Sequence, residues 1–198
     1  MNRELGHPSF CHNGYMNQPT QSREQSKVKF TRRMNLLKLY SACISNAGNL
    51  LDEAKLLLDH KRFSRAAFLA YCAYEETGKA QIVADFYHGD LEEPVFRQYY
   101  FAHPIKAAYL NREVHLPENL NSEAWTIVVD KSKGTARRQL REPALYVEFS
   151  DDFSPIEPES QVNEEVARDV VQQVYRAWHR ILEMDYLTEG IGSRGHFK

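Results

Sequence analysis

The stretch RAAFLAYCAYEETGKAQIVAD, from Arg65 to Asp85, decides the fold class, because it combines strong helix formers with a broad apolar face. Alanine has the highest helix propensity, and the apolar residues recur at intervals of three and four, as on one face of an α-helix. The segment 62–88 is therefore predicted to form one long helix, with Gly89 as its C-cap.

Three further segments extend this pattern into an all-α fold. Helices are predicted over 30–59, 91–114 and 162–187, and Pro104 should kink or split the third around Ala102 and His103. The alternating strands that an α/β fold requires are missing from the pattern. The sequence predicts an antiparallel four-helix bundle with an irregular insertion, 117–160, before the last helix. Within the insertion we expect a short helix near 121–141 and an extended piece over 144–149.

The domain organisation follows from a change of composition near residue 30. Residues 1–29 are rich in Asn, Gln and Ser and contain few aliphatic side chains, which is typical of a flexible polar N-terminal tail. Residues 30–190 are expected to form a single helical domain.

Composition excludes several classes of protein. The chain has 198 residues, a net charge of −2 and 42% hydrophobic residues, values that fit one globular domain and give no overall positive field for nucleic acid. No apolar run is long enough for a membrane helix, and residues 1–9 lack a signal-peptide pattern. The three widely separated cysteines, Cys11, Cys43 and Cys72, indicate a reducing compartment and no structural zinc. We expect a cytoplasmic protein without membrane attachment, metal or cofactor.

Two neighbouring carboxylates, Glu75 and Glu76, interrupt the apolar face of the second helix. A buried carboxylate needs a partner. Lys79 lies four residues after Glu75 in the favourable order for an ion pair, so Glu76 would need a partner such as Arg65 or an arginine of another helix. These residues either support a catalytic group or form a structural ion pair that sets the register of the helices.

The third helix contains Arg97 and His103, an Arg-x5-His spacing that ends beside Pro104. Histidine can transfer a proton near neutral pH, and arginine can hold a phosphate. Together they suffice for metal-free cleavage of RNA through attack by the 2′-hydroxyl. The spacing alone is common, and the alternative is that His103 is an ordinary interface or surface histidine.

The insertion has a marked charge asymmetry. One stretch of eleven residues contains five bases and no acid, and we expect it to bind RNA phosphates: Lys131, Lys133, Arg137, Arg138 and Arg141. The following stretch, 151–165, contains six acids and no base. The alternative is a solvated surface whose two halves pair with each other.

The central stretch also resembles a known family. The block Glu75-Glu76-x-Gly78-Lys79 after an alanine-rich run is similar to the central helix of the AbiV-like abortive-infection proteins, members of the HEPN superfamily. Weaker likenesses cover 46–58 and 141–148. The resemblance implies a four-helix HEPN core, often dimeric, and a metal-independent ribonuclease motif for which this chain offers Arg97 and His103. Gln98 departs from the small polar residue that often follows the motif's arginine, and a further long helix follows the motif here.

Three functions follow from the residues and the resemblance together. The first is an antiphage endoribonuclease that acts as a homodimer through Arg97 and His103. The alternative is a non-enzymatic interaction protein that binds a phage protein or a translation component. A third is an accessory module for a nucleotidyltransferase.

Overall fold

The computed structural model describes the backbone of residues 19–115, 126–132 and 141–187, and the side chains of 29–113, 127–132 and 141–183. Its elements are α1 (Pro19–Asp59), α2 (Phe63–His88), α3 (Glu93–Phe101), α4 (His103–Tyr109), β1 (Glu113–His115), β2 (Thr126–Val128), β3 (Glu148–Phe149), β4 (Pro155–Ile156), α5 (Pro158–Gln161) and α6 (Glu164–Leu187). Helix α1, helix α2, the pair α3 and α4, and helix α6 form the bundle, so the predicted all-α four-helix architecture is confirmed.

Helix α2 is the centre of the bundle. It packs against α1, α3, α4 and α6, and its alanines are buried on every side, among them Ala66, Ala70, Ala73, Ala80 and Ala84. Small side chains let the neighbouring helices approach closely, while the long side chains of those helices fill the space between them. The alanine-rich stretch from Arg65 to Asp85 is therefore the centre of the core.

The order of contacts shows that α1 and α6 are antiparallel. The Trp178 indole Nε1 donates to the Ile44 carbonyl at 3.1 Å, and further along α1 the Lys55 amine lies 4.2 Å from the centre of the Tyr175 ring. Residues later in α1 thus contact residues earlier in α6. Between these contacts a Cβ added at Gly48 would lie 3.0 Å from Trp178 Cζ2, so Gly48 marks a close helix contact.

Proline divides the third arm of the bundle, as predicted. Helix α3 ends at Phe101, Ala102 is extended (φ −80°, ψ 110°), and α4 begins at His103 with Pro104 in its first turn. The predicted end of this arm is wrong, because α4 stops at Tyr109 and Glu113–His115 pairs as β1 with β2. That pairing places Val114 opposite Ile127, two β-branched residues that favour a strand.

In the described part of the chain, the insertion contributes β2 to a small antiparallel sheet with β1, which precedes the insertion, and forms a second antiparallel sheet from β3 and β4. The helix expected near 121–141 is wrong at Thr126–Val128, which forms β2, and much of the rest of that segment lies outside the described residues. The extended piece expected over 144–149 is reduced to β3, because the chain turns at Glu142, whose carbonyl accepts from the amides of Leu145 and Tyr146.

The start of α1 and the end of α2 are each explained by residues at those positions. Helix α1 begins at Pro19, well before the predicted start at residue 30, since proline suits the first turn and 19–29 contains no further helix breaker. The remainder of the expected tail, 1–18, lies outside the described residues. Gly89 caps α2 at φ 85°, as predicted, and donates to the carbonyl of Phe86.

Within the described ranges, no helix has both the length and the apolar character that a membrane span requires.

Candidate functional site

Helices α2 and α4 meet in backbone contact at one glycine. A Cβ added at Gly78 would lie 2.1 Å from the carbonyl oxygen of Lys106, so no other residue fits there without moving α4. This approach brings the polar residues one turn earlier in α2 against the first turn of α4. Gly78 therefore determines where the candidate site forms.

The carboxylate of Glu75 is the centre of this site. Its Oε2 accepts from His103 Nδ1 at 2.8 Å, its Oε1 lies 3.1 Å from the same nitrogen, and Oε2 lies 3.6 Å from the Lys106 amine. Glu75 and Lys106 are both buried, so each compensates the charge of the other. The sequence-based pairing of Glu75 with Lys79 is wrong, because α4 supplies two cationic partners closer to this carboxylate.

Glu76 and Lys79 instead form their own ion pair along α2, and both side chains are mostly buried. The Lys79 amine also lies 5.5 Å from the centre of the Tyr100 ring, and the Tyr100 hydroxyl lies 3.7 Å from the Cys43 sulfur. Burial raises the pKa of the Cys43 thiol and of the Tyr100 phenol. Both groups therefore stay protonated near neutral pH, and Cys43 acts as a packing residue rather than a nucleophile.

His103 is the accessible member of the Glu75 group. It is the first residue of α4, and 49% of its side chain is exposed. Because a carboxylate only accepts hydrogen bonds, Nδ1 carries the proton that is shared with Glu75, and Nε2 is the nitrogen that can gain or lose a proton. A buried carboxylate behind an exposed imidazole is an arrangement suited to acid–base chemistry.

Sequence reasoning missed Lys106, although it lies three residues after His103 and thus on the same face of α4. Burial lowers the pKa of its amine, and the charge of Glu75 opposes that shift. The His-Pro-x-Lys spacing at a helix start was the available signal. The role of this buried lysine is evident only from its contact with Glu75 on α2.

Arg97 occupies a different position from His103. It is exposed on α3, where its guanidinium binds Glu93 at 2.7 Å, and Glu93 also accepts from Arg32 of α1 at 2.8 Å. These two arginines lower the pKa of the Glu93 carboxyl. Arg97 and His103 are thus engaged by different carboxylates, and an anionic ligand would compete with Glu93 for Arg97.

The predicted RNA-binding stretch is only partly described. Lys131 is exposed after β2, whereas the Arg141 guanidinium is half-buried and lies 5.8 Å from the centre of the Phe68 ring on α2. Lys133, Arg137 and Arg138 lie outside the described residues. Arg141 therefore packs against the bundle, and Lys131 is the member of this stretch that the structure describes as exposed.

A second polar cluster, which sequence reasoning also missed, joins α2 to the end of α4. Asp85 accepts from the Tyr109 hydroxyl at 2.8 Å and from Arg112 Nε at 2.9 Å, and Arg112 also donates to Gln81. Asp85 and Tyr109 are fully buried. A buried, fully compensated network of this kind holds the two helices in register.

Among the described side chains, no three His, Cys, Asp or Glu residues lie close enough together to hold a metal ion.

Comparison with known proteins gives one result. The family model described as AbiV, a HEPN family, matches residues 35–179, a range that includes α2, the Glu75 group, Arg97 and the insertion. The chain has no significant match among curated proteins or among solved structures. Because the family model covers most of the chain and the fold is an all-α bundle of the HEPN kind, this protein belongs to the AbiV family of HEPN proteins.

Proposed function

We propose that this protein is a bacterial antiphage abortive-infection protein that cleaves RNA without a metal ion, with His103 as its acid–base residue. The observation that carries the proposal is the hydrogen bond from His103 Nδ1 to the buried Glu75 carboxylate, on an imidazole that remains half-exposed. Membership of the AbiV family supports the abortive-infection role.

The reaction would begin with the 2′-hydroxyl of the RNA. His103 Nε2 removes its proton, the 2′-oxygen forms a bond to the adjacent phosphorus, and the bond to the 5′-oxygen breaks, with a proton returned to the leaving oxygen. Glu75 stabilises the imidazolium that forms and keeps the ring oriented. The products are a 2′,3′-cyclic phosphate and a 5′-hydroxyl.

Arg97 would bind the scissile phosphate and neutralise the charge that develops on it. Its present partner Glu93 is exposed, so exchange of this carboxylate for a phosphate costs little desolvation. Lys131 and the rest of the basic stretch would contact neighbouring phosphates. Glu76 and Lys79 would support the α2 side of the site.

A homodimer completes this proposal. One Arg97–His103 pair provides one proton-transfer group, whereas cleavage needs a base for the 2′-hydroxyl and an acid for the leaving oxygen. Two-fold symmetry would place a second pair across a shared groove.

The test is incubation of purified protein with total cellular RNA in the presence of EDTA. His103→Ala should abolish cleavage, and Glu75→Gln should reduce it by about 100-fold or more, the usual contribution of a positioned acid–base group. His179→Ala is the matched control, because His179 also binds a glutamate, Glu183, and is 46% exposed, yet lies on α6. Cleavage by His103→Ala at the wild-type rate would refute the mechanism.

The alternative is a non-enzymatic protein that binds a phage protein or a translation component. This binding function is favoured by the ion pairs of the two motif residues, because Arg97 binds Glu93 whereas His103 binds a different carboxylate, Glu75. This alternative predicts phage protection by the wild type without RNA cleavage, and protection that survives His103→Ala. Measuring protection and RNA integrity in the same infected cells separates the two functions.

A further inference from the structure

The N-terminal half of helix α1 is basic and carries no opposite charge. From Lys29 to Leu51 the sequence contains four bases, Lys29, Arg32, Arg33 and Lys38, and no acid. All four of these side chains are exposed. Because Arg32 and Arg33 follow Lys29 by three and four residues, the three lie on one face of the helix. This face of α1 is therefore a source of positive charge that is separate from the basic stretch of the insertion.

Two of these arginines lie over aromatic rings at the end of α2. The Arg32 guanidinium carbon is 5.2 Å from the centre of the Phe86 ring, and that of Arg33 is 4.7 Å from the centre of the Tyr87 ring. Phe86 in turn stacks on Phe96 of α3, with 4.2 Å between the ring centres. Attraction to the face of a ring restrains a guanidinium without placing a carboxylate on it. The two arginines are therefore positioned before any ligand binds.

Arg32 and Arg97 meet on a single carboxylate. Arg32 Nη2 donates to Glu93 Oε2 at 2.8 Å, while Arg97 donates to Oε1 from Nη2 at 2.7 Å and from Nε at 3.1 Å. The side chains of Arg32, Arg97 and Glu93 are 54%, 68% and 43% exposed. Two guanidiniums around one carboxylate leave one positive charge in excess. A phosphodiester is also an oxyanion of single charge with two free oxygens, so it can take the place of this carboxylate.

The surroundings of these arginines favour RNA over an acidic protein as the ligand. Unpaired bases stack on arginine planes and on aromatic rings, and this face offers both beside its positive charges. An acidic peptide would match the charges and leave the rings unused. A strand whose phosphate binds Arg97 would also bring its neighbouring phosphates toward α1, because Arg32 and Arg97 already contact the same group.

We propose that Lys29, Arg32, Arg33 and Arg97 form a binding surface for single-stranded RNA, the α1 basic surface, which the Glu93 carboxylate occupies until a phosphate displaces it. RNA as the ligand rests on the proposed function, in which Arg97 holds the scissile phosphate. Arg32 joins Arg97 on that phosphate, and the rest of the surface binds the phosphates that follow. Glu93 is thus an internal competitor that weakens the binding of RNA.

The basic residues are tested by fluorescence anisotropy with a short RNA strand whose 2′-hydroxyls are methylated, so that binding is measured without cleavage. Lys29→Ala and Arg32→Ala should each weaken binding and reduce the slope of log affinity against log salt by about 0.7, the value for one phosphate of a single strand. Arg168→Ala is the matched control, because Arg168 is an exposed arginine that binds a glutamate, Glu164, at 2.7 Å on α6. It should leave the slope unchanged. A wild-type slope in both test variants would overturn the proposal.

The competitor is tested by a gain of affinity, which misfolding cannot produce. Glu93→Gln should tighten binding of the same RNA by about fivefold, the equivalent of two exposed ion pairs of ordinary strength. Glu164→Gln makes the same change of charge and frees Arg168 on α6, so it is the control and should have little effect. Equal affinities of Glu93→Gln and Glu164→Gln would refute the competition at Glu93.

Two further measurements separate this proposal from its alternatives. Polyglutamate bound more tightly than RNA, with the same dependence on Arg32, would overturn RNA as the ligand and indicate an acidic protein. Unmodified RNA tests the proposed function: binding through the α1 basic surface without cleavage would refute the ribonuclease and leave the surface intact. Cleavage that needs His103 and is indifferent to Lys29→Ala and Arg32→Ala would refute the surface alone.

Discussion

Single residues in this molecule acquire their roles from partners far away in the sequence. Glu75 binds His103 and Lys106, which follow it by about 30 residues. It does not pair with Lys79, which lies one turn away on the same helix and binds Glu76 instead. Burial makes this choice decisive, because a carboxylate that loses water must be compensated by the nearest cations and donors. The exposed His103 thus inherits its orientation from a residue that substrate would not reach.

Lys106 allows a prediction about pH at this scale. Because burial lowers the pKa of its amine in the folded protein, the unfolded chain binds more protons between the folded pKa and about 10.5. The free energy of unfolding contributed by this group therefore rises as pH rises through that window. In urea titrations, the stability of the wild type relative to Lys106→Met should be greater at pH 10 than at pH 7. An equal difference at both values of pH would contradict a lowered Lys106 pKa.

At the scale of elements, backbone contact between α2 and α4 is the feature on which the site depends. Gly78 gives α4 room to approach, and the Asp85 cluster holds the other end of the same pair of helices. His103 and Lys106 lie in the first turn of α4, so a small shift of this short helix would move both away from Glu75.

Gly78→Ala tests this contact. Its new Cβ would meet the backbone oxygen of Lys106, which cannot rotate away, so we expect a loss of stability toward the upper end of about 1–3 kcal/mol despite the better helix propensity of alanine. Gly48→Ala is the matched comparison, because its Cβ would meet the edge of the Trp178 side chain at 3.0 Å, which is a smaller overlap. Urea unfolding measures both. A Gly78→Ala variant as stable as Gly48→Ala would show that α4 moves freely.

At the scale of the whole molecule, two tyrosines connect the arms of the bundle, one partly buried and one fully buried. Tyr100 of α3 reaches Cys43 of α1, and Tyr109 of α4 reaches Asp85 of α2. Burial raises the pKa of both phenols, and the negative charge of Asp85 contributes at Tyr109. Each bond thus joins two helices and depends on a proton that the folded protein retains.

The bundle should therefore lose stability in alkali. With the folded pKa above the unfolded value of about 10, each tyrosine stabilises the fold fully below pH 10 and loses that contribution as pH rises further. Tyr100→Phe should reduce the fall in the free energy of unfolding between pH 9 and 11. Tyr146→Phe, at an exposed tyrosine outside the bundle helices, is the control and should leave the slope as in the wild type. The same slope in Tyr100→Phe would contradict the role of this phenol.

Local physics in the sequence accounts for the elements of the bundle. Alanine content and three-to-four spacing predicted α2, Gly89 predicted its end, and Pro104 predicted the break between α3 and α4, because each effect acts within one or two helical turns. The start of α1 and the short strands were predicted wrongly. Helix α1 reaches back to Pro19 because 19–29 contains no helix breaker after its first residue, whereas 126–128 has a weak local preference and forms a strand by pairing with β1.

The sequence by itself determined an all-α bundle centred on Arg65–Asp85 and singled out Glu75, Glu76, Arg97 and His103. Only the tertiary structure decided which of them meet: Glu75 with His103 and Lys106, Glu76 with Lys79, and Arg97 with Glu93. The physical reason is that helix formation follows from residues a few positions apart, whereas the partner of a buried charge depends on how closely two helix backbones approach. In this protein that approach is set at Gly78, where the absence of a side chain brings α4 against α2.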